Sequence, residues 1–318
     1  MRIVVTGALG HIGSRLIRML PDAFPQAEIV LLDNLATQRY PSLFSLPSDA
    51  TYRFVEFDIL RDSLDEVFAN AHSVVHLAAL TDPGSSVDNR LEVERVNLTG
   101  TSRIADACIR AGCALFHASS TSVYGSAAAE VDEESRAHLA PQSPYAETKL
   151  KEEDLLRNLG VSQGLRFAIC RFGTICGVSP GMRFHTAVNR FCWQAVTGRP
   201  LTVWRTALAQ KRPYLDLAEA VEAIKFILQR DLFAREVYNV LSENLTVATI
   251  VDIIRSRIPD LQVEYIDSPI MNELSYDVLD SKFRRAGFEF RGSVQRCIAD
   301  TISLLGAASS ARSYTHAD

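Results

Sequence analysis

At 318 residues, with 47% apolar and 22% charged side chains, the chain has ordinary globular composition and the length for one large or two intertwined domains. Its formal charge of −5 comes without a basic block, which argues against nucleic acid and anionic membrane as partners. No apolar run reaches membrane-spanning length, and the first strand is expected to begin at residue 2, which leaves no room for a signal peptide; a cytoplasmic location is expected.

The first apolar run, Ile3 to Val5, ends in Thr6 and a glycine-rich turn, Gly7-x-x-Gly10-x-x-Gly13. A helical pattern follows at Ile12, Leu16, Ile17 and Leu20. Strand, tight turn and helix in this order aim backbone N–H groups and the positive end of the helix at a diphosphate. Gly7 lets the chain turn, Gly10 lets the backbone approach the phosphates, and Gly13 lets the helix pack on the strand. Leu9, His11 and Ile12 share the turn and are expected beside the ligand. The next run, Ile29 to Leu32, ends in Asp33, 20 residues after Gly13, with Asn34 following. A carboxylate there accepts from both adenosine ribose hydroxyls and repels a 2′-phosphate, so the reading is NAD in preference to NADP.

Further apolar runs at Phe54–Phe57, Val74–Ala79, Ala114–Ala118 and Phe167–Cys170 alternate with helical patterns such as Val96–Ala111 and Ala146–Leu159. Alternation of this kind predicts an α/β fold, a Rossmann-type doubly wound parallel sheet. After Arg171 the alternation stops. Residues 173–213 carry Gly, Pro, Trp and Arg and read as part of a smaller substrate domain. Leu217–Gln229 reads as a helix and Val237–Val240 as one more strand of the main sheet. The expected division is 1–172 plus about 214–242 for the NAD-binding domain. About 173–213 and 243–305 form the smaller, intertwined C-terminal domain, and 306–318 a disordered tail. Cysteines 108, 113, 170, 176, 192 and 297 form no C-x-x-C pair and read as small buried residues in a reducing compartment, with no metal site.

Ser119 and Ser120 close the run through Leu115 and Phe116, where parallel sheets bind ligands. Tyr145 and Lys149 follow, four apart and so on one helical face. An ammonium beside a phenol favours the phenolate and is expected to lower the tyrosine pKa from about 10 towards working pH. Such a phenol can take or return the proton of a sugar hydroxyl while hydride passes to or from nicotinamide.

Together, the glycine turn, the acidic strand end, the serine and the Tyr/Lys pair resemble the extended short-chain dehydrogenase/reductase family, in its NAD-dependent nucleotide-sugar epimerase and dehydratase group. The resemblance covers about residues 1–305. It implies that Tyr145 is the acid/base, that Lys149 binds the nicotinamide ribose and tunes Tyr145, and that Ser120 completes a triad. It places His76, Leu77, Ala78, Ala79, Asn97 and Ser119 beside the cofactor, and Asp58 and Ile59 near the adenine. It also implies a homodimer formed through helices near 97–111 and 145–159.

In that family the 4,6-dehydratases carry Asp-Glu directly after the catalytic hydroxyl residue, and sugar-acid decarboxylases keep the glutamate. Here the pair is Thr121 and Ser122, and neither serves as a carboxylate base. That leaves oxidation and reduction at one carbinol, and so epimerisation of a nucleotide sugar, at C4 by resemblance to the 4-epimerases. A keto-sugar reductase or dehydrogenase of the same family is the alternative, and a non-catalytic dinucleotide sensor a more distant one. On the substrate side Thr81, Ser120, Thr121, Tyr145, Thr174, Asn189 and Arg212 are the expected contacts. Arg183, His185 and Arg190 lie on a segment expected to reach the cleft. The second domain departs from the family pattern. In Val203–Tyr214, Pro213 follows Arg212 where an aspartate is usual, and the preceding glycine loop is gone. The sugar and the nucleotide base are therefore not legible.

Overall fold

A computed structural model describes residues 1–81, 88–125, 129–267 and 275–307. The first part of the chain runs β1 (Arg2–Thr6), α1 (His11–Ala23), β2 (Glu28–Asp33), β3 (Thr51–Glu56), α2 (Asp65–Phe68) and β4 (Ser73–His76). It continues through α3 (Arg90–Glu94), a π-helical turn (Arg95–Thr99), α4 (Gly100–Ala111), β5 (Ala114–Ser120), β6 (Glu130–Val131), α5 (Pro144–Gln163) and β7 (Phe167–Phe172). Then come β8 (Thr174–Cys176), α6 (Ala187–Val196), β9 (Leu201–Trp204), β10 (Lys211–Asp216), α7 (Leu217–Gln229) and β11 (Glu236–Val240). The last elements are β12 (Glu243–Thr246), α8 (Val247–Arg257), β13 (Val263–Ile266), β14 (Asp277–Val278), α9 (Ser281–Arg285) and α10 (Val294–Gly306).

Among the described residues, seven strands form one parallel sheet in the order β11-β7-β5-β4-β1-β2-β3. This is the doubly wound Rossmann arrangement. The order reverses between β1 and β4, and that reversal opens a crevice at the carboxyl ends of the strands. The unbroken apolar runs are explained by burial on both faces: every residue of β4 and of β7 is buried. The edge strand β3 is largely exposed. Even so, it braces α1. Pro21 lies within that helix and has no N–H to offer the Ile17 carbonyl four residues back. The Tyr52 hydroxyl donates to that carbonyl instead, at 2.7 Å.

The helix predicted over Val96–Ala111 extends back to Arg90 and starts through the π turn. A widened turn of this kind often marks a functional position. Here it carries Asn97, which is buried.

Beyond β7 the chain builds small sheets, β12-β10-β8 and β13-β9, around a separate apolar cluster. Val188, Phe191 and Cys192 of α6, Ile250 and Ile254 of α8, and Ile298 of α10 fill it. All six cysteines are buried and unpaired. Gly306 ends α10, and most of the predicted tail, 308–318, lies outside the described residues.

Candidate active site

A cavity of about 790 Å³ lies over the carboxyl ends of β1, β2, β4, β5 and β7, roofed by residues of α6, β9 and β10. One end is the glycine turn. Gly7 has φ +64, and a Cβ there would stand 2.7 Å from the Ala78 nitrogen. A Cβ on Gly13 would stand 2.4 Å from the Gly7 carbonyl oxygen. Helix α1 starts at His11, and its N-cap, Gly10, supplies no side-chain acceptor. The helix start faces the cavity through Gly10, His11, Ile12 and Gly13. A helix N-terminus left without a side-chain cap and opened by glycine fits a diphosphate.

Asp33 is held rigidly at the end of β2. Its Oδ2 accepts from the Leu9 N–H and its Oδ1 from the Leu35 N–H, both at 3.0 Å. Asn34, Asp58 and Ile59 line the same end, together with Arg39. Leu77, Ala78 and Ala79 line the middle. The residues present thus fit a dinucleotide.

Two residues expected at the cofactor do not line the cavity. Leu9 is buried, and it acts through its N–H on Asp33. Asn97 grips the Leu80 backbone, accepting from its N–H at 2.8 Å and donating to its carbonyl at 2.9 Å. It therefore shapes the wall.

The other end of the cavity is built on β5 and α5. Ser143 caps α5 by accepting from the Ala146 N–H at 3.2 Å, and Pro144 occupies the first turn. This sets Tyr145 at the helix start, with the Lys149 Nζ 5.9 Å from its ring centre. Ser120 accepts from both the N–H and the hydroxyl of Ser122, at 3.2 and 2.9 Å. The Ser119 hydroxyl is turned away and donates to Glu153 Oε1 at 2.6 Å. The Thr121 hydroxyl donates to the Phe172 carbonyl at 3.3 Å, although the residue still borders the cavity.

One expectation is corrected. Lys149 does not bring the Tyr145 phenol down towards neutrality. Burial pushes the phenol above its usual value, and the Glu152 carboxylate adds to that; Lys149 pulls the other way and is outweighed. Burial is the larger cause, and the partner of Lys149 is the second. The Lys149 Nζ donates to Glu152 Oε2 at 2.8 Å, and the His117 Nε2 lies 2.9 Å from the same oxygen. All three side chains are buried. Burial alone would push the Glu152 carboxyl up, but Lys149 and His117 together hold it down at about 2. His117 itself is pushed below its usual value by burial, with the Glu152 carboxylate pulling the other way.

His11 and His76 are neutral. Burial lowers His11 to about 4 and His76 to about 3. His76 lies between two threonines, its Nδ1 2.7 Å from Thr6 Oγ1 and its Nε2 3.2 Å from Thr101 Oγ1. Behind Ser119, Arg171 and Glu153 form a buried pair at 2.6 Å.

The substrate side of the cavity is cationic. Thr81, Thr174, Arg183, His185, Arg190 and Arg212 line it. The Arg183 guanidinium donates to Thr81 Oγ1, and the Arg212 Nη2 donates to Gln210 Oε1 at 3.0 Å. Asn189 is the exception. It is buried outside the lining, accepting from the Gly177 N–H at 3.3 Å and donating to the Arg183 carbonyl at 2.9 Å. It fixes the segment that carries Arg183.

That segment docks on the glycine turn. His11 Nε2 lies 2.9 Å from the Gly177 carbonyl, Ser179 Oγ donates to the His11 carbonyl at 2.9 Å, and the Gly181 N–H donates to Ser14 Oγ at 3.0 Å. A Cβ on Gly181 would stand 2.3 Å from the Leu9 carbonyl oxygen.

Known proteins resemble the chain over most of its length. The model of the NAD dependent epimerase/dehydratase family matches residues 3–240. A trifunctional UDP-glucose 4,6-dehydratase/UDP-4-keto-6-deoxy-D-glucose 3,5-epimerase/UDP-4-keto-L-rhamnose-reductase of Arabidopsis thaliana is 27% identical over 91% of this chain and 44% of its own length. The chain thus spans less than half of that relative. The UDP-glucose 4-epimerase of Azospirillum brasilense is 32% identical over 64% of this chain and 60% of its own. Among solved structures, the Thermus thermophilus UDP-glucose 4-epimerase in complex with NAD superposes with a TM-score of 0.81 at 25% identity, covering 95% of this chain and 98% of that one.

Proposed function

The chain belongs to the NAD-dependent epimerase/dehydratase family, and on that premise we propose that it epimerises a nucleotide-diphosphate sugar by transient oxidation at one carbinol, C4 of the hexose. The observation that carries this reading is the absence of a second acid/base at the reacting end. Among the described residues, the carboxylates lining the cavity are Asp33, Asp58 and Glu92, and none belongs to the segments that carry Ser120, Tyr145 or Arg212. Elimination of water needs a carboxylate to take a carbon-bound proton. Thr121 and Ser122 stand where the dehydratases keep theirs, and each hydroxyl is committed to a neighbour.

Bound NAD supplies the hydride acceptor and returns the hydride. The chain supplies the rest. Ser120 accepts two hydrogen bonds from Ser122, so its own proton is free to be donated to the sugar oxygen or to Tyr145. The Tyr145 phenol takes the hydroxyl proton as the carbinol is oxidised and returns it when the ketone is reduced on its other face. Arg183, Arg190 and Arg212 suit the diphosphate, which must stay anchored while the ketone turns. In this reading residues 173–213 and 243–305 form the substrate domain. The enzyme is a homodimer joined through α4 and α5, whose neighbourhood exposes Leu91 and Val161.

The test uses UDP-glucose deuterated at C4 as the probe. The expected product is UDP-galactose with the label retained and no net change in cofactor. A 4-keto-6-deoxy sugar, carbon dioxide from UDP-glucuronic acid, or stoichiometric cofactor consumption would overturn the assignment.

A further inference from the structure

The sequence 151–154 reads Lys-Glu-Glu-Asp, a charge run expected on a solvated helix face. Instead, both glutamates point inward and are fully buried. Glu153 has an evident structural partner in Arg171. Glu152 does not serve the core in that way. Its Oε2 receives Lys149 and is approached by His117, and its Oε1 has no hydrogen-bond partner among the described residues. A buried carboxylate with one oxygen unsatisfied is costly unless the site uses it.

We propose that Glu152, braced by His117, is a positioning residue that fixes the Lys149 ammonium and opposes its charge at Tyr145. The inference takes Tyr145 as the acid/base and so rests on the functional reading above. The geometry is a buried chain of His117, Glu152 and Lys149, with Lys149 facing the Tyr145 ring. At i and i+3 on α5, Lys149 and Glu152 share one face, so the ammonium is held from its own helix. Other charged and titratable groups bear on the cluster. They are Glu153 on the same helix, His76 on β4, His117 on β5 and Arg183 from the segment before α6. His76 is neutral, His117 is seated against Glu152 itself, Glu153 is paired with Arg171, and Arg183 is the other cation near the phenol. Glu152 is therefore the carboxylate that offsets Lys149. An unopposed ammonium at this distance would shift a phenol down by one unit or more.

Ultraviolet phenolate titration tests this without substrate. The Tyr145 signal is the difference between the protein and its Tyr145→Phe variant, measured with NAD bound and with NADH bound. The expected result for Glu152→Gln is a midpoint about one pH unit below wild type with either cofactor. Glu152→Asp, which keeps the charge, should return it most of the way. An unchanged or raised midpoint in Glu152→Gln overturns the proposal. Should that variant fail to fold, the wild type decides. With NADH bound, a Tyr145 midpoint at or above about 10 supports the proposal, and one near neutrality overturns it. None of these readouts depends on turnover. A shifted midpoint in a protein without epimerase activity would keep this inference and reject the reaction, and an active epimerase with an unmoved midpoint would do the reverse.

Discussion

The Ser122 hydroxyl donates to the Ser120 hydroxyl at 2.9 Å, and the Ser122 N–H reaches the same oxygen at 3.2 Å. Both acceptor positions of Ser120 are thereby taken up, and its proton is left to face the cavity. Ser122→Ala should free that rotor. The expected effect is a fall in kcat of about tenfold with KM little changed, since lost hydrogen-bond positioning costs on the order of 1 kcal/mol. An equal loss in KM alone would place Ser122 in substrate binding.

Tyr145→Phe should retain NAD and lose turnover by about 10²–10⁴-fold, the range general acid–base groups supply. The phenyl ring fills the same space, so cofactor affinity by calorimetry should stay near wild type. Turnover within a few-fold of wild type would show that another group carries the proton.

Asp33 should enforce NAD over NADP. Its carboxylate is already held by the Leu9 and Leu35 N–H groups, so it cannot swing aside for a 2′-phosphate. Replacing it by alanine should cost NAD about 1.5–3 kcal/mol per charged hydrogen bond lost and narrow the gap to NADP, with Arg39 close by to receive the phosphate. Equal affinity of the wild type for both cofactors would contradict this.

Stability should fall on mild acidification. His11 and His76 are held neutral, at about 4 and about 3, against an unfolded value near 6.5. Their folded values are depressed, so the stability they contribute is present above about pH 6.5 and is lost as pH falls towards 4 and 3. Linkage gives a loss of about 1.4 kcal/mol per pH unit for each within that window. Urea midpoints measured from pH 7.5 to 5 should decline, and less steeply in His76→Asn. A flat profile over this range would refute the assignment.

Glu153→Ala should destabilise the fold by about 3–5 kcal/mol, because it strands the buried Arg171 guanidinium and orphans the Ser119 hydroxyl. Chemical denaturation of the variant is the check, and a cost below 1 kcal/mol would mean that the pair is solvated.

Most of the sheet is legible in the sequence because double burial writes each strand as an unbroken apolar run, as in Ile29–Leu32 and Phe167–Cys170. The glycine turn and Asp33 are legible because each does a local job at a fixed spacing. Glu152 and Glu153 are not, because a helical charge run is indistinguishable from a solvated face until its neighbours on β5 and β7 are known. The i, i+3 spacing of Lys149 and Glu152 was the signal available. Asn97 and Asn189 show the complementary failure. Both are polar residues in segments that reach the cleft, yet each is occupied by backbone groups. The tuning of Tyr145 is not legible because sequence shows the lysine but neither the burial of the phenol nor the lysine's counterion.

The strap through Gly177, Ser179 and Gly181 lies directly on the glycine turn, and Arg183 follows it by two residues. Were occupancy at one end of the cavity to change affinity at the other through this contact, the coupling would be reciprocal. If cofactor raises the affinity for a sugar nucleotide by some factor, the sugar nucleotide slows cofactor escape in the same thermodynamic proportion. A two-step reaction that must recover its own hydride depends on that proportion, since it sets how often a half-finished turnover is abandoned.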